Sequence, residues 1–446
     1  MKNAVLVLLV LGSLALVCVA WLTALFIRAA LLSREARQAA GRLLQGDEAS
    51  CDSLERRYRS VIALLAKAYP LVIPVISGCL ILSSFFGVYA LWHTQMKILR
   101  VVVMGLAVLS TFSLISIFSK HSTEALSLRL VEADHPRLFA VVHEIISKAG
   151  VANIPQVFLT SGEELILFEQ GSLGEIIRNE STPQLRLGAG LLGGITPDDL
   201  RPILAKALYP LSEREWSSGS LAHAIDYYLL VKLYKAQSSN NGNPLEPALG
   251  IAILYHKLFT ITCAGAKMLQ NVRTSRFVSD LTGPGEFHSA LRRLFETYWC
   301  IGAFLNRTLD QNIASSEEPL PCLFPLSVPS EWNQADIAKV GYPRHKNQEM
   351  KTPRSLMEQA IPELLRHVQM ELNTHLPLHA QIQWDKPCLG DDHPRTIDDS
   401  SLSLLRNAHS LVGRLSLDIY QSFTPGRRFR KNYQIRLAAL QKSLEE

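Results

Sequence analysis

Residues Ala4 to Ile27 form a charge-free apolar run of 24, closed by Arg28. At about 1.5 Å of rise per residue, a helix of that length crosses a hydrocarbon core about 30 Å thick. The run continues through Trp21, Leu22 and Phe26 without a small-residue cleavage site, so it reads as an uncleaved anchor and not as a secretory signal. Two further uncharged runs follow, Pro70 to Trp92 and Val101 to Phe118, with only eight residues between them. They predict a membrane helical hairpin, in which Pro74 is tolerated near a helix end. A hydrophobic share of 48% and a mean hydropathy of +0.13 agree that part of the chain meets lipid.

Basic residues in short loops set topology. Between the first two runs lie Arg34, Arg37, Arg42, Arg56, Arg57, Arg59 and Lys67, against Lys2 at the start and Lys97 and Arg100 in the hairpin turn. This asymmetry predicts that the loop is cytoplasmic, and three spans then return everything from Ser119 onward to the same side. The expected plan is an anchor at 1–32, a basic cytoplasmic loop at 33–69 and the hairpin at 70–120. The net charge of +5 is modest, and its basic residues are spread out apart from Arg427, Arg428, Arg430 and Lys431. That cluster reads as a solvated tail or as a contact with anionic lipid, and nucleic acid is not an expected partner. Seven cysteines without a Cys-x-x-Cys pair fit a reducing compartment and argue against both a disulfide framework and a thiolate metal site.

From His135 the pattern becomes globular. Leu138, Val141, Val142, Ile145 and Ile146 make one helical stripe within Pro136 to Ala149, and short β-favouring runs at Gln156–Thr160, Leu165–Glu169 and Gln184–Leu187 predict a small sheet. Thr196-Pro197-Asp198-Asp199 is a helix start, with Thr as cap, Pro at the first position and acids at the positive end. That helix is expected to end at about Tyr209, before Pro210. A loop at Gln237–Pro247 precedes Leu249–Met268, read as a buried or interfacial helix because it carries His256 and Lys257. Phe287–Leu305 and Arg354–Leu372 read as helices, and Ser315–Lys351 as irregular. The corresponding partition is a main domain at 121–310, an irregular insertion at 311–353 and a helical end with a basic tail at 354–446.

Zinc peptidases of the gluzincin type place two His one helical turn apart, with a Glu after the first as general base, and draw a third ligand from a later helix. No His-Glu-x-x-His occurs in this sequence. The surroundings nevertheless resemble the HtpX-like and CAAX-prenyl-protease-like zinc metallopeptidase family. His135-Pro136-Arg137-Leu138-Phe139-Ala140 is similar to that family's first domain helix, and Ile154-Pro155-Gln156-Val157-Phe158-Leu159 to its next strand. Leu185 to Leu192 and Thr196 to Ala205 resemble the strand and helix leading into the zinc motif, Arg276 to Pro284 the end of its Glu-x-x-Ala-Asp helix, and Asp391-Asp392-His393-Pro394 its Asp-Thr-His-Pro element. The resemblance spans roughly residues 130–305 and 390–415.

The resemblance implies an α+β, mainly helical, zincin-like domain behind membrane helices. In its register Lys206 stands at the first His, Ala207 at the general base, Pro210 at the second His, Asn271 at the third ligand and Ser275 at the following Asp. An ammonium is a poor neighbour for a dication, Ala moves no proton and Pro offers no lone pair. No catalytic residue, metal or cofactor is therefore expected. The reading is a degenerate member, a pseudopeptidase of the bacterial inner membrane whose large domain is cytoplasmic. Its partners would be the bilayer and a protein or peptide held in the retained groove. The alternative is an active membrane zinc metalloendopeptidase with ligands drawn from His223, His256 or His288. Other His-containing pairs read as surface features: His143-Glu144 on an amphipathic helix, His375 and His379 around Pro377, and His223 with Asp226. Reporter fusions after Glu48 and at Glu446 should both register cytoplasm; an exported signal at the C-terminus would overturn the three-span arrangement.

Overall fold

The computed structural model describes residues 2–44, 51–91, 104–105, 127–162, 164–239, 247–291, 293–294, 297, 320–324, 396–422 and 430–445. In chain order the elements are α1 (Lys2–Leu44), α2 (Asp52–Leu91), β1 (Ser127–Arg129), α3 (Pro136–Ala149), β2 (Gln156–Thr160), β3 (Leu165–Gln170), α4 (Leu173–Arg178), β4 (Thr182–Gly188), α5 (Ala189–Gly194), α6 (Pro197–Ser212), α7 (Ser218–Ser239) and α8 (Pro247–Thr282). A 3-10 turn at Ser401–Leu404, α9 (Ala408–Ser422) and α10 (Arg430–Glu445) follow. The protein is mostly helical with one small mixed sheet.

The chain divides into two compact units, one made of 1–123, 169–181 and 213–272, the other of 124–168, 182–212 and 273–446. The segment 121–310, expected as one domain, is thus shared between both. The cause is apolar burial. In α7 and α8, Leu229, Leu233, Ala252, Phe259 and Ala266 enter the same core as Ala36, Ile62, Leu65 and Ile73 of the first two helices, and that burial outweighs proximity in sequence. The segment 33–69, expected as a loop between spans, is helical over Ser33–Leu44 and Asp52–Tyr69. Its Ala36, Ala39, Ala40, Tyr58, Ile62 and Leu65 are buried in stripes of helical period.

In this first unit α1, α2 and α8 are long and apolar enough to cross a membrane, and the protein is membrane-associated. On α1, Leu16 and Val17 are 70% and 64% exposed, a surface that water would not tolerate over such a length. Above that apolar run the helices lock together. Ser33 Oγ accepts a hydrogen bond from the Gly265 N–H at 2.9 Å, the Tyr58 hydroxyl donates to the Thr262 carbonyl, and the Tyr255 hydroxyl donates to the Leu65 carbonyl. Tyr255 also packs edge-on against Phe26 and Tyr69, with ring centroids 5.4 and 5.3 Å apart.

In the second unit the sheet order is β1-β2-β4-β3. β1 runs antiparallel to β2, while β2 runs parallel to β4 with Val157 opposite Leu185. The stripe predicted for α3 is buried, and the helix stops at Gly150, whose φ of 67° favours a residue without a Cβ. α6 begins as expected: the Asp199 N–H bonds Thr196 Oγ1 at 3.3 Å and the Thr196 N–H bonds Asp199 Oδ2 at 3.2 Å. It does not stop at Tyr209. The helix runs through Pro210 to Ser212, because proline's fixed φ is helical and costs this last turn one donor, while Ser212 Oγ bonds the Tyr209 carbonyl at 2.8 Å. The third span at Val101–Phe118, apart from Met104 and Gly105, lies outside the described residues. So do the helix at Arg354–Leu372, the Asp391–Pro394 element, His375, His379, Arg427 and Arg428, and most of the irregular stretch Ser315–Lys351.

A Cβ at Gly265 would overlap the Ser33 carbonyl oxygen, whereas one at Gly250, on the same helix, meets nothing within 4 Å. Gly265→Ala should therefore cost about 1–3 kcal/mol by forcing α1 and α8 apart. Gly250→Ala should stabilise by roughly 0.5–1 kcal/mol through lower backbone freedom in the unfolded chain. Denaturation of the two variants in detergent micelles checks the opposite signs.

Candidate functional site

Lys206, Ala207 and Pro210 lie half-buried on one side of α6, within an arc of about 100°. The opposite side, with Leu204, Ala205 and Leu208, is buried in the second unit's core, and Ile203, one turn before the three positions, is buried as well. Helix periodicity accounts for this division, since Leu204, Ala205 and Leu208 recur on one side of α6 and leave the three positions toward the other. Asn271 and Ser275 lie on α8, Asn271 half-buried in the stretch assigned to the first unit and Ser275 buried in the stretch assigned to the second. Within the second unit α6 meets the end of α8 through Tyr209, stacked on Phe277 at 4.4 Å. His135, which opens the first resemblance motif, is buried and accepts a hydrogen bond from the Arg406 N–H at 3.2 Å. Burial holds its pKa below the ordinary histidine value.

The residues read as surface pairs keep their own partners. His143 lies 3.2 Å from Glu132, and Glu144 accepts from Lys148 at 2.6 Å with Arg201 beyond. His223 is exposed on α7. Asp226, expected beside it, turns instead toward α8, where its carboxylate meets Lys267 at 2.6 Å, Thr260 at 2.7 Å and His256 at 3.1 Å. Of this ionic cluster the sequence pointed only to its Asp and its histidine. The partners stand 30 to 41 positions away on the next helix, a separation at which no local spacing rule operates. Among the described residues no group of three or more His, Cys, Asp or Glu side chains gathers as metal ligands do.

A second buried network ties segments within the same unit. Arg214 reaches Glu169 at 2.8 Å and the Ser181 carbonyl at 2.9 Å. Arg59 donates to the Ser217 carbonyl at 2.9 Å and to Asn179 Oδ1 at 3.0 Å, and Glu55 accepts from the Ser218 N–H at 2.7 Å. Arg59, counted in the sequence as a basic loop residue that sets topology, therefore also bridges two later segments to α2. Each charge here is answered by a partner of opposite sign or by the backbone, as burial requires.

Burial alone would raise the Asp226 carboxyl, but Lys267 and His256 hold it well below the usual carboxylate range. A carboxyl depressed in the folded state adds stability that is present above its unfolded value of about 4 and lost as pH falls below it. Asp226→Asn should cost roughly 2–3 kcal/mol at neutral pH, the low side for a broken buried pair, because about a fifth of the Asp226 side chain stays exposed. The deficit should shrink as pH falls below about 4. Unfolding of the wild type and the variant in micelles at pH 7 and pH 3.5 measures both effects.

In comparison with known proteins, no family model, curated protein or solved structure matched the chain.

Proposed function

We propose that this chain is a membrane-anchored pseudopeptidase. It has the zincin-like plan of the HtpX-like zinc peptidases without their chemistry, and it acts as a binding or regulatory protein that holds a protein or peptide partner at the inner face of a bacterial membrane. The observation that carries this reading is α6. The helix stays regular through Pro210, so side chains at 206, 207 and 210 share one face as a ligand-and-base set requires. That face carries an ammonium, a methyl group and a pyrrolidine ring. An ammonium repels a dication, and neither of the other two offers a lone pair or moves a proton.

The basic residues in the Ser33–Lys67 stretch support a cytoplasmic position for the segment joining α1 to α2. A protein that has lost hydrolysis while keeping the plan would hold its partner without cleaving it, so its effect would scale with occupancy and not with turnover. Of the histidines in the alternative zinc-enzyme reading, His256 is already committed to Asp226.

Protein purified without a metal-binding tag should carry well under one zinc per chain and leave unfolded casein intact. Stoichiometric zinc together with chelator-sensitive cleavage would sink this reading.

A further inference from the structure

Helix α8 is packed on two sides and bare on the third. At about 100° per residue, Tyr255, Phe259, Thr262 and Ala266 form the side buried with α1 and α2. His256, Thr260 and Lys267 form the side that meets Asp226 on α7. The remaining arc carries Leu254, Lys257, Leu258 and Ile261, whose apolar members are 58%, 37% and 66% exposed. A bare apolar stripe on a soluble helix would be a liability, and here its depth is fixed by its neighbours. Tyr255 rests against Phe26, one residue before the end of the Ala4–Ile27 run, and against Tyr69, which directly precedes the Pro70 run. The stripe thus starts where α1 and α2 leave the hydrocarbon, a level at which aromatic residues concentrate. Ile27 and Leu71, also more than half exposed, continue the apolar surface on both helices.

We propose that the face of α8 bearing Leu254, Lys257, Leu258 and Ile261 lies in the headgroup–acyl boundary of the bilayer that α1 and α2 cross, as an interfacial element and not as another span. Two observations choose this depth. Lys257 sits in the middle of the stripe, where its stem can lie along apolar surface while the ammonium reaches lipid phosphates. Another side of the helix carries Lys267, paired at 2.6 Å with Asp226 of α7, an ion pair that would be costly at the bilayer centre. Without the cluster and Lys257, the length and hydropathy of α8 would suit a full crossing.

The full chain in vesicles of phosphatidylcholine and phosphatidylglycerol tests this. The vesicles carry a diazirine phospholipid with the reactive group either beside the glycerol or at the acyl terminus, and adducts are mapped by mass spectrometry. The glycerol-proximal probe should modify Leu254–Ile261 at the level it modifies the peptide containing Leu71. The acyl-terminal probe should modify Leu9–Val17 and leave α8 unmodified. Equal acyl-terminal labelling of α8 and α1 would overturn the proposal by making α8 a span. Labelling of α1 with neither probe on α8 would overturn it by showing the stripe covered by protein, either a second copy or a partner. Adducts on α1 report the anchor separately, so loss of the membrane reading itself is distinguishable from loss of this one.

Discussion

At Gly265 the backbone of α8 passes against that of α1, with Ser33 Oγ on the glycine N–H, and the arrangement of the first unit follows from that approach. Helices can come this close only where side chains are small. α1 supplies Ala29, Ala36, Ala39 and Ala40, all essentially unexposed. With small residues at the seam, the large ones are displaced to its flanks: Ile62 and Leu65 from α2, Phe259 from α8 and Leu229 from α7 fill the space around it. The character of α1 changes with its environment along one unbroken helix. Before Arg28 it is apolar almost all round, as lipid demands, and beyond it polar and charged residues enter while Ala29, Leu32, Ala36, Ala39 and Ala40 are buried.

Burial of charge is the second organising constraint. Glu55, Glu169 and Asp226 each lie where water is scarce, and each is met by groups contributed from elsewhere in the chain. Such pairs add little net stability, because desolvation offsets the attraction, but a mispaired arrangement would strand a charge. Their effect is to make one docking of α2, α7 and α8 far better than its neighbours, a discrimination that interchangeable leucines and alanines do not provide. Tyr58 and Tyr255 act similarly, each placing a hydroxyl on a carbonyl of the partner helix.

Elements governed by local rules were legible in the sequence. The stripe of α3, the cap of α6 and the extent of β2 follow from spacing, capping chemistry and β-propensity, and the structure places them as expected. What was missed depends on distant partners. The stretch 33–69 reads as a basic loop when its charges are weighed for topology, whereas its Ala36, Ala39, Ala40, Tyr58, Ile62 and Leu65 are buried at helical spacing. Pro210 reads in the sequence as a helix stop, although in the last turn of α6 it removes only one donor. Asp226, with His223, reads as a surface feature, whereas it meets Thr260, His256 and Lys267 of the following helix. For the candidate site, the spacing of Lys206, Ala207 and Pro210 on one face was readable, but nothing local indicated that Asn271 and Ser275 fall in parts of α8 assigned to different units.

The interleaving of segments has a consequence for biogenesis. Gly265 follows its contact at Ser33 by 232 positions, so at about 5–20 residues per second the ribosome delivers it on the order of ten to fifty seconds later. During that interval the alanine seam of α1 has α2 as its early companion. Insertion of the first two helices must therefore come before completion of the unit, and the inserted pair serves as the template onto which α7 and α8 later close. For the same reason the polypeptide cannot be split into a membrane piece and an independent soluble piece at any single peptide bond: a cut after α2 would leave the apolar flanks of α7 and α8 without the surface they fold against.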